Sequence, residues 1–312
     1  MKKRLLWVVV FVSVLVLSTG VFAACSSSEA EEEKVTTIEV TDMIGRTVTL
    51  DGIPGKIVSL APSNTEILYS LDLGDKIVVV SYFCNYPAAA LEKPKVGGFS
   101  TADVEKIVAT EPDVIFVSNM HVNEILPALE QLNQTVVVID PRNLDQVLDS
   151  FTLIGKVTGT STKASQIVKD LSERIEKITD KTTGLSAANR PRVFYVMWHD
   201  PLMTVGHDTR IHELIEKAGG TNIFADTEGY PTIELESLVE ANPQVIIAGT
   251  GMGEGADAPF TFAKTESRLA NSEARKTDMI YEINTDLVGR PTERMIDGFE
   301  QMAKIIHPDL FD

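Results

Sequence analysis

Short β-branched runs alternate along the chain with stretches whose apolar residues recur every three or four positions, the pattern of βαβ units that build parallel sheets. Lys56 to Leu60, Ile77 to Ser81, Val114 to Val117 and Thr135 to Ile139 predict the strands of a first half, with helices beginning near Asn64 and near His121. Arg192 to Trp198, Val245 to Ala248 and Met279 to Ile283 predict strands of a second half, with helices over Asp208 to Ala218 and Thr292 to Ile306. Between the halves, Leu144, Val147, Leu148, Phe151 and Ile154 keep helical spacing, as do Ala164, Ile167, Val168, Leu171, Ile175 and Ile178. Gly155 and the run Gly159 to Thr162 are expected to interrupt that pattern. The piece Lys163 to Asp180 would be roughly 27 Å long at 1.5 Å per residue, enough to strap two lobes together.

The halves share more than a class. Val104-Glu105-Lys106-Ile107-Val108-Ala109-Thr110-Glu111-Pro112-Asp113-Val114 is matched 131 residues later by Leu235-Glu236-Ser237-Leu238-Val239-Glu240-Ala241-Asn242-Pro243-Gln244-Val245. In both, a short helix passes through a proline into a buried strand, because proline disfavours helix at the residue before it. Two related lobes follow from this match and from the recurring strand pattern.

The N-terminus has a different character. Lys2, Lys3 and Arg4 precede an apolar run from Leu5 to Ala24, which ends in small residues just before Cys25. This predicts an export signal over residues 1–24, although the run also has the length of a membrane span. Residues 25–36, Cys25 apart, are polar and acidic without periodicity, an expected solvated tether. The predicted organisation is therefore signal 1–24, tether 25–36, first lobe 37–142, linking helix 143–182 and second lobe 183–312. The 312 residues carry 28 Lys plus Arg against 45 Asp plus Glu, a net charge of −17. Such a balance argues against a nucleic-acid partner. Two cysteines, Cys25 and Cys84, supply neither a disulfide framework nor a cysteine-rich metal site, and Cys84 reads as a small buried hydrophobe.

Two α/β lobes, a helical strap and a lipoprotein-like start together resemble the helix-linked substrate-binding proteins of ATP-driven importers for ferric chelates and cobalamin. The carriers are Ile57-Val58-Ser59-Leu60-Ala61-Pro62-Ser63-Asn64-Thr65-Glu66, Ser81-Tyr82-Phe83-Cys84-Asn85-Tyr86-Pro87, Glu111-Pro112-Asp113-Val114-Ile115 and Ala218-Gly219-Gly220-Thr221-Asn222-Ile223-Phe224. The resemblance spans residues 37–312 and implies two Rossmann-like lobes with parallel sheets joined by a long helix, the class III fold of periplasmic binding proteins. It implies a monomer that captures a metal-containing compound, cobalamin first and a ferric siderophore or haem next, and hands it to a permease and its ATPase. No resident cofactor and no catalysis are expected. Phe22-Ala23-Ala24-Cys25 resembles a lipoprotein signal box, with Phe22 departing from its usual aliphatic residue; Cys25 would then be lipidated and hold the body outside the cytoplasm. By motif position Glu66 and Glu236 match the exposed glutamates, one per lobe, that pair with permease arginines; each would otherwise serve a helix dipole.

Ligand sites of parallel sheets lie beyond the carboxyl ends of their strands. Tyr82 and Tyr86 follow one predicted strand, and Trp198 and His199 another. With Tyr230 they suit a large, flat, partly apolar ligand, or else cap the lobe cores. His199 either coordinates a metal or bonds to a neighbour. Arg290, before the last helix, meets either an anionic or amide edge of the ligand or a surface carboxylate. Two other patterns are set aside. Gly251 to Ala256 imitates a dinucleotide fingerprint, but Pro259 falls where its helix should run. His212-Glu213 starts like a zinc-protease helix, yet Glu216 replaces the second histidine. An α/β metal-chelatase-like enzyme is the competing class, since fold alone does not decide function.

Overall fold

A computed structural model describes residues 37–98, 101–251, 255 and 257–311. The export signal, the tether and Cys25 lie outside the described residues, as does most of the Gly251 to Ala256 pattern. The described chain opens on an antiparallel hairpin, β1 (Thr37–Thr41) and β2 (Thr47–Asp51), whose strict alternation buries Val40, Val48 and Leu50. No strand was predicted there.

The first lobe is a parallel sheet of β3 (Ile57–Ser59), β4 (Ile77–Val80), β5 (Val114–Val117) and β6 (Val136–Val138), in the order β4-β3-β5-β6. Its helices are α1 (Pro62–Ser70), α2 (Val104–Val108) and α3 (Ile125–Gln131). Then come α4 (Leu144–Thr158) and α5 (Ser161–Thr182). The second lobe contains β7 (Arg192–Val196), β8 (Trp198–His199), β9 (Leu202–Met203), β10 (Thr221–Asn222), β11 (Val245–Thr250) and β12 (Ile280–Asn284). Its parallel sheet runs β10-β7-β11-β12, while β8 and β9 form a separate antiparallel pair. Counted in chain order, the strands of both parallel sheets therefore lie in the same order, second, first, third, fourth. Its helices are α6 (Arg210–Lys217), α7 (Leu235–Ala241), α8 (Ala258–Thr265), α9 (Glu273–Lys276), α10 (Thr285–Gly289), α11 (Glu293–Ile306) and α12 (Pro308–Phe311).

The internal match has a backbone counterpart. Glu111 and Asn242 hold the same place between helix and strand, both at positive φ, 51° and 44°. A proline follows each, and each leads into the all-buried start of a central strand, β5 or β11.

Each sheet has a private apolar face. One core joins Val58, Leu60, Ile115 and Leu129 of the first lobe, and another joins Phe194, Ile246, Leu238 and Ala263 of the second. The opposite faces share a single continuous core that runs from Ile57 and Phe116 through Phe151, Leu171 and Ile175 to Tyr195, Ile247 and Phe299. The lobes are thus joined by buried apolar surface as well as by chain, which opposes wide hinge opening.

Three expectations need correction. Gly155 does not break the helical pattern; it lies inside α4, and the break falls at Gly159, whose φ of 73° ends the helix in a left-handed cap. The strap is accordingly one helix, α5, because α4 packs over the first lobe. Gly155 is small for packing reasons: a Cβ there would stand 2.5 Å from Ala164 Cβ of α5. Gly155→Ala is expected to cost about 1–3 kcal/mol by overpacking, read as a lower urea midpoint at unchanged m-value. Finally, the strand expected from Arg192 to Trp198 stops at Val196, where the Met197 amide donates to Met203 O at 2.9 Å and starts the short hairpin.

Candidate ligand cleft

A cavity of about 370 Å³ opens between the lobes. The first lobe lines it with residues just beyond strand carboxyl ends: Pro62 and Ser63 after β3, Ser118 to Met120 after β5, and Ile139 to Arg142 after β6. Tyr230, Arg210 and Gly289 to Pro291 complete it from the second lobe. Tyr82 and Phe83 follow β4, the edge strand of the same sheet, and are 64% and 57% exposed. Together with Met120 and Tyr230 they leave large apolar side chains uncovered on segments that follow the strands.

Trp198 and His199 sit half-buried on β8 beyond the end of β7, outside the lining of this cavity. Trp198 Nε1 donates to Asp200 O at 2.9 Å, and its ring lies tilted 5.1 Å from that of His199. His199 Nδ1 is buried and has no hydrogen-bond partner among the described residues. A backbone bond from Thr204 N to Pro231 O couples this hairpin to the segment carrying Tyr230. Tyr86 turns elsewhere: the Arg294 guanidinium stacks 4.0 Å from its ring centroid, in a second cavity bordered by α5 and α11.

The electrostatics centre on arginine. Arg290 meets a carboxylate, as one of its two expected roles required, but a buried one across the lobes. Its Nη1 donates to Glu66 Oε1 at 2.9 Å and to Asn85 Oδ1 at 2.7 Å, while Nε pairs with Asp286 at 3.0 Å. Glu66 also receives Arg294 Nη1 at 3.3 Å and Thr292 Oγ1 at 3.1 Å. Burial raises the Glu66 carboxyl above its ordinary range, and the two arginines pull it back.

This overturns the expectation that Glu66 is an exposed docking group. It lies in the second turn of α1, its side chain is 2% exposed, and second-lobe residues occupy both carboxylate oxygens. Glu236 is exposed as expected, in the first turn of α7, paired with Arg268 at 3.1 Å. The internal match supplies the counterpart that was missed: Glu105, 131 residues earlier, stands exposed in the first turn of α2. The signal was present in the aligned halves, which pair Glu105 with Glu236 and leave Glu66 unmatched.

Two further cleft residues were missed. Arg142 pairs with Asp140 at 2.6 Å, and Arg210 reaches from α6 to carbonyls on both sides. Nothing in the local pattern of α6 marks its first residue as a cleft residue. The remaining histidines bond to neighbours: His207 to Thr227 O at 2.7 Å, His212 to Asn222 at 3.2 Å, His307 to Gly219 O at 3.0 Å and His121 to Ser118. Cys84 is fully buried beside Thr65 and Ser81.

Two parallel-sheet lobes of equal strand order, strapped by a helix and facing a shared cleft, are the architecture of a two-lobed binding protein. The chain belongs to the periplasmic binding protein family, whose model matches residues 57–287. It is 32% identical to an uncharacterized ABC transporter substrate-binding lipoprotein, YvrC, of Bacillus subtilis, over 100% of this chain and 99% of that one. It is 31% identical to a vitamin B12-binding protein of Vibrio cholerae, covering 80% of this chain and 87% of the relative. The crystal structure of the periplasmic vitamin B12 binding protein BtuF of Vibrio cholerae superposes with a TM-score of 0.70 at 30% identity, over 82% of this chain and 97% of that one.

Proposed function

We propose that this chain is the non-enzymatic substrate-binding component of an ATP-driven importer, held outside the cytoplasm by a lipid on Cys25, and that its cargo is a corrinoid, cobalamin foremost. The observation that carries this reading is the inter-lobe cleft with uncovered aromatic side chains beside it, since aromatic faces with polar tips suit a flat ligand with apolar faces and an amide-bearing edge. The likeness to vitamin B12-binding proteins over four-fifths of the chain supports the corrinoid. A corrinoid exceeds the cavity, so it spans the cleft mouth, with Tyr82, Tyr230, Trp198 and His199 against its faces and Arg290 at the floor. Tyr86 serves instead as the stacking partner of Arg294. The monomer delivers this cargo to a permease and its ATPase.

Melting the purified mature protein with cobalamin, haem and a ferric siderophore tests the assignment. Cobalamin at one hundred times its dissociation constant is expected to add about 2.7 kcal/mol of stability. A response to haem or the siderophore alone would reassign the cargo within the same class. Silence toward all three would reject transport of a metal compound, and chemically altered cargo would point to a chelatase-like enzyme. Trp198→Ala is expected to weaken cobalamin binding about tenfold, the scale of one buried aromatic side chain, in a fluorescence or calorimetric titration.

A further inference from the structure

Charge in the cleft is not balanced. Arg290 is answered by Glu66 and Asp286, and Arg142 by Asp140. Arg210, the third arginine lining the cavity, has no carboxylate partner among the described residues. Its Nη1 donates to Pro141 O at 3.0 Å and its Nη2 to Gly289 O at 3.1 Å, so that it bridges the two lobes through carbonyls alone. Its Nε is buried and has no hydrogen-bond partner among the described residues. A guanidinium has five donors in a rigid fork that matches an oxyanion. Two carbonyls leave that fork incomplete and its charge uncompensated, in a protein whose net charge is −17. With its Nε already shielded from water, an anionic ligand closing over the fork would supply the missing partner.

We propose that Arg210, assisted by Arg142 on the opposite wall, is an oxyanion-recognition site that selects cargo bearing a phosphodiester or carboxylate group. The inference rests on the cleft being the cargo site. It deepens the corrinoid reading by assigning this corner to the phosphodiester of the nucleotide loop; on haem or a ferric chelate the same fork would take a carboxylate. Because Arg210 also ties the lobes, a purely structural role would weaken all ligands alike and lower the melting temperature. Selection between a ligand that carries the anion and one that lacks it is the readout such a role would not move.

The test compares dissociation constants for cobalamin and for cobinamide, which keeps the corrin and lacks the phosphodiester together with its ribose and base, in wild type, Arg210→Gln and Arg210→Lys. Wild type is expected to prefer cobalamin about tenfold, the scale of one hydrogen-bonded charge. Arg210→Gln is expected to abolish the preference, and Arg210→Lys to keep part of it. An unchanged preference in Arg210→Gln would overturn the proposal while leaving corrinoid transport intact. If neither corrinoid binds, the corrinoid reading fails separately, and haem against haem dimethyl ester provides the same comparison. Loss of discrimination on that pair in Arg210→Gln would support the oxyanion site, and unchanged discrimination would overturn it.

Discussion

Replacing Glu66 by alanine is expected to cost about 3–5 kcal/mol of folding stability, because it strands Arg294 between the lobes without its counter-charge and leaves Arg290 with Asp286 alone. The side chains of these arginines are 18% and 16% exposed, so water replaces little of what the carboxylate supplied. Glu66→Gln keeps an acceptor for Thr292 but not the charge, and should fall between wild type and alanine. Denaturant titration measures both. The pH dependence follows from the raised Glu66 pKa. The folded protein binds that proton more tightly than the unfolded chain does, so the contribution is fully present below the ordinary value of 4.5. It is lost as pH rises through the higher folded value, and Glu66→Gln should lack this part of the slope. The cluster ties the two lobes in one arrangement and fixes Arg290 at the cavity wall. Equal stability of wild type and Glu66→Ala would refute this account.

The second large effect is expected on transport. Glu105→Ala combined with Glu236→Ala should leave the cobalamin dissociation constant unchanged and lower uptake through the reconstituted permease about a hundredfold, roughly tenfold for each charge-assisted pair that the substitutions prevent. Both glutamates stand exposed in first helical turns related by the internal match, one on each lobe, as two-point docking would require. Arg268 already engages Glu236, but this pair is 56% and 74% exposed and therefore worth little, so a permease arginine can displace it. Normal uptake by the double variant would remove the docking assignment without touching the cleft.

Most of the architecture was legible because its signals are local. Ile57 to Ser59, Ile77 to Val80, Val114 to Val117 and Val136 to Val138 are continuous apolar runs, which is how strands buried on both faces read. The two-residue strands Trp198–His199, Leu202–Met203 and Thr221–Asn222 are too short to carry such a pattern and owe their pairing to neighbours. The β1–β2 hairpin did alternate, and went unread beside the stronger parallel pattern.

Periodicity and the internal match thus determined that this chain makes two related α/β lobes with a helical strap, since burial of a strand or a helix face is written into the spacing of its own residues. Which charges meet across the lobes was decided only by tertiary structure. Glu66 and Arg290 are 224 positions apart, and Arg210 and Pro141 are 69. A long side chain's partner depends on where the chain returns, and no local spacing encodes that. The same folding turned a glutamate expected at the surface into an inter-lobe tie, and left Arg210 in the cleft with no carboxylate partner among the described residues.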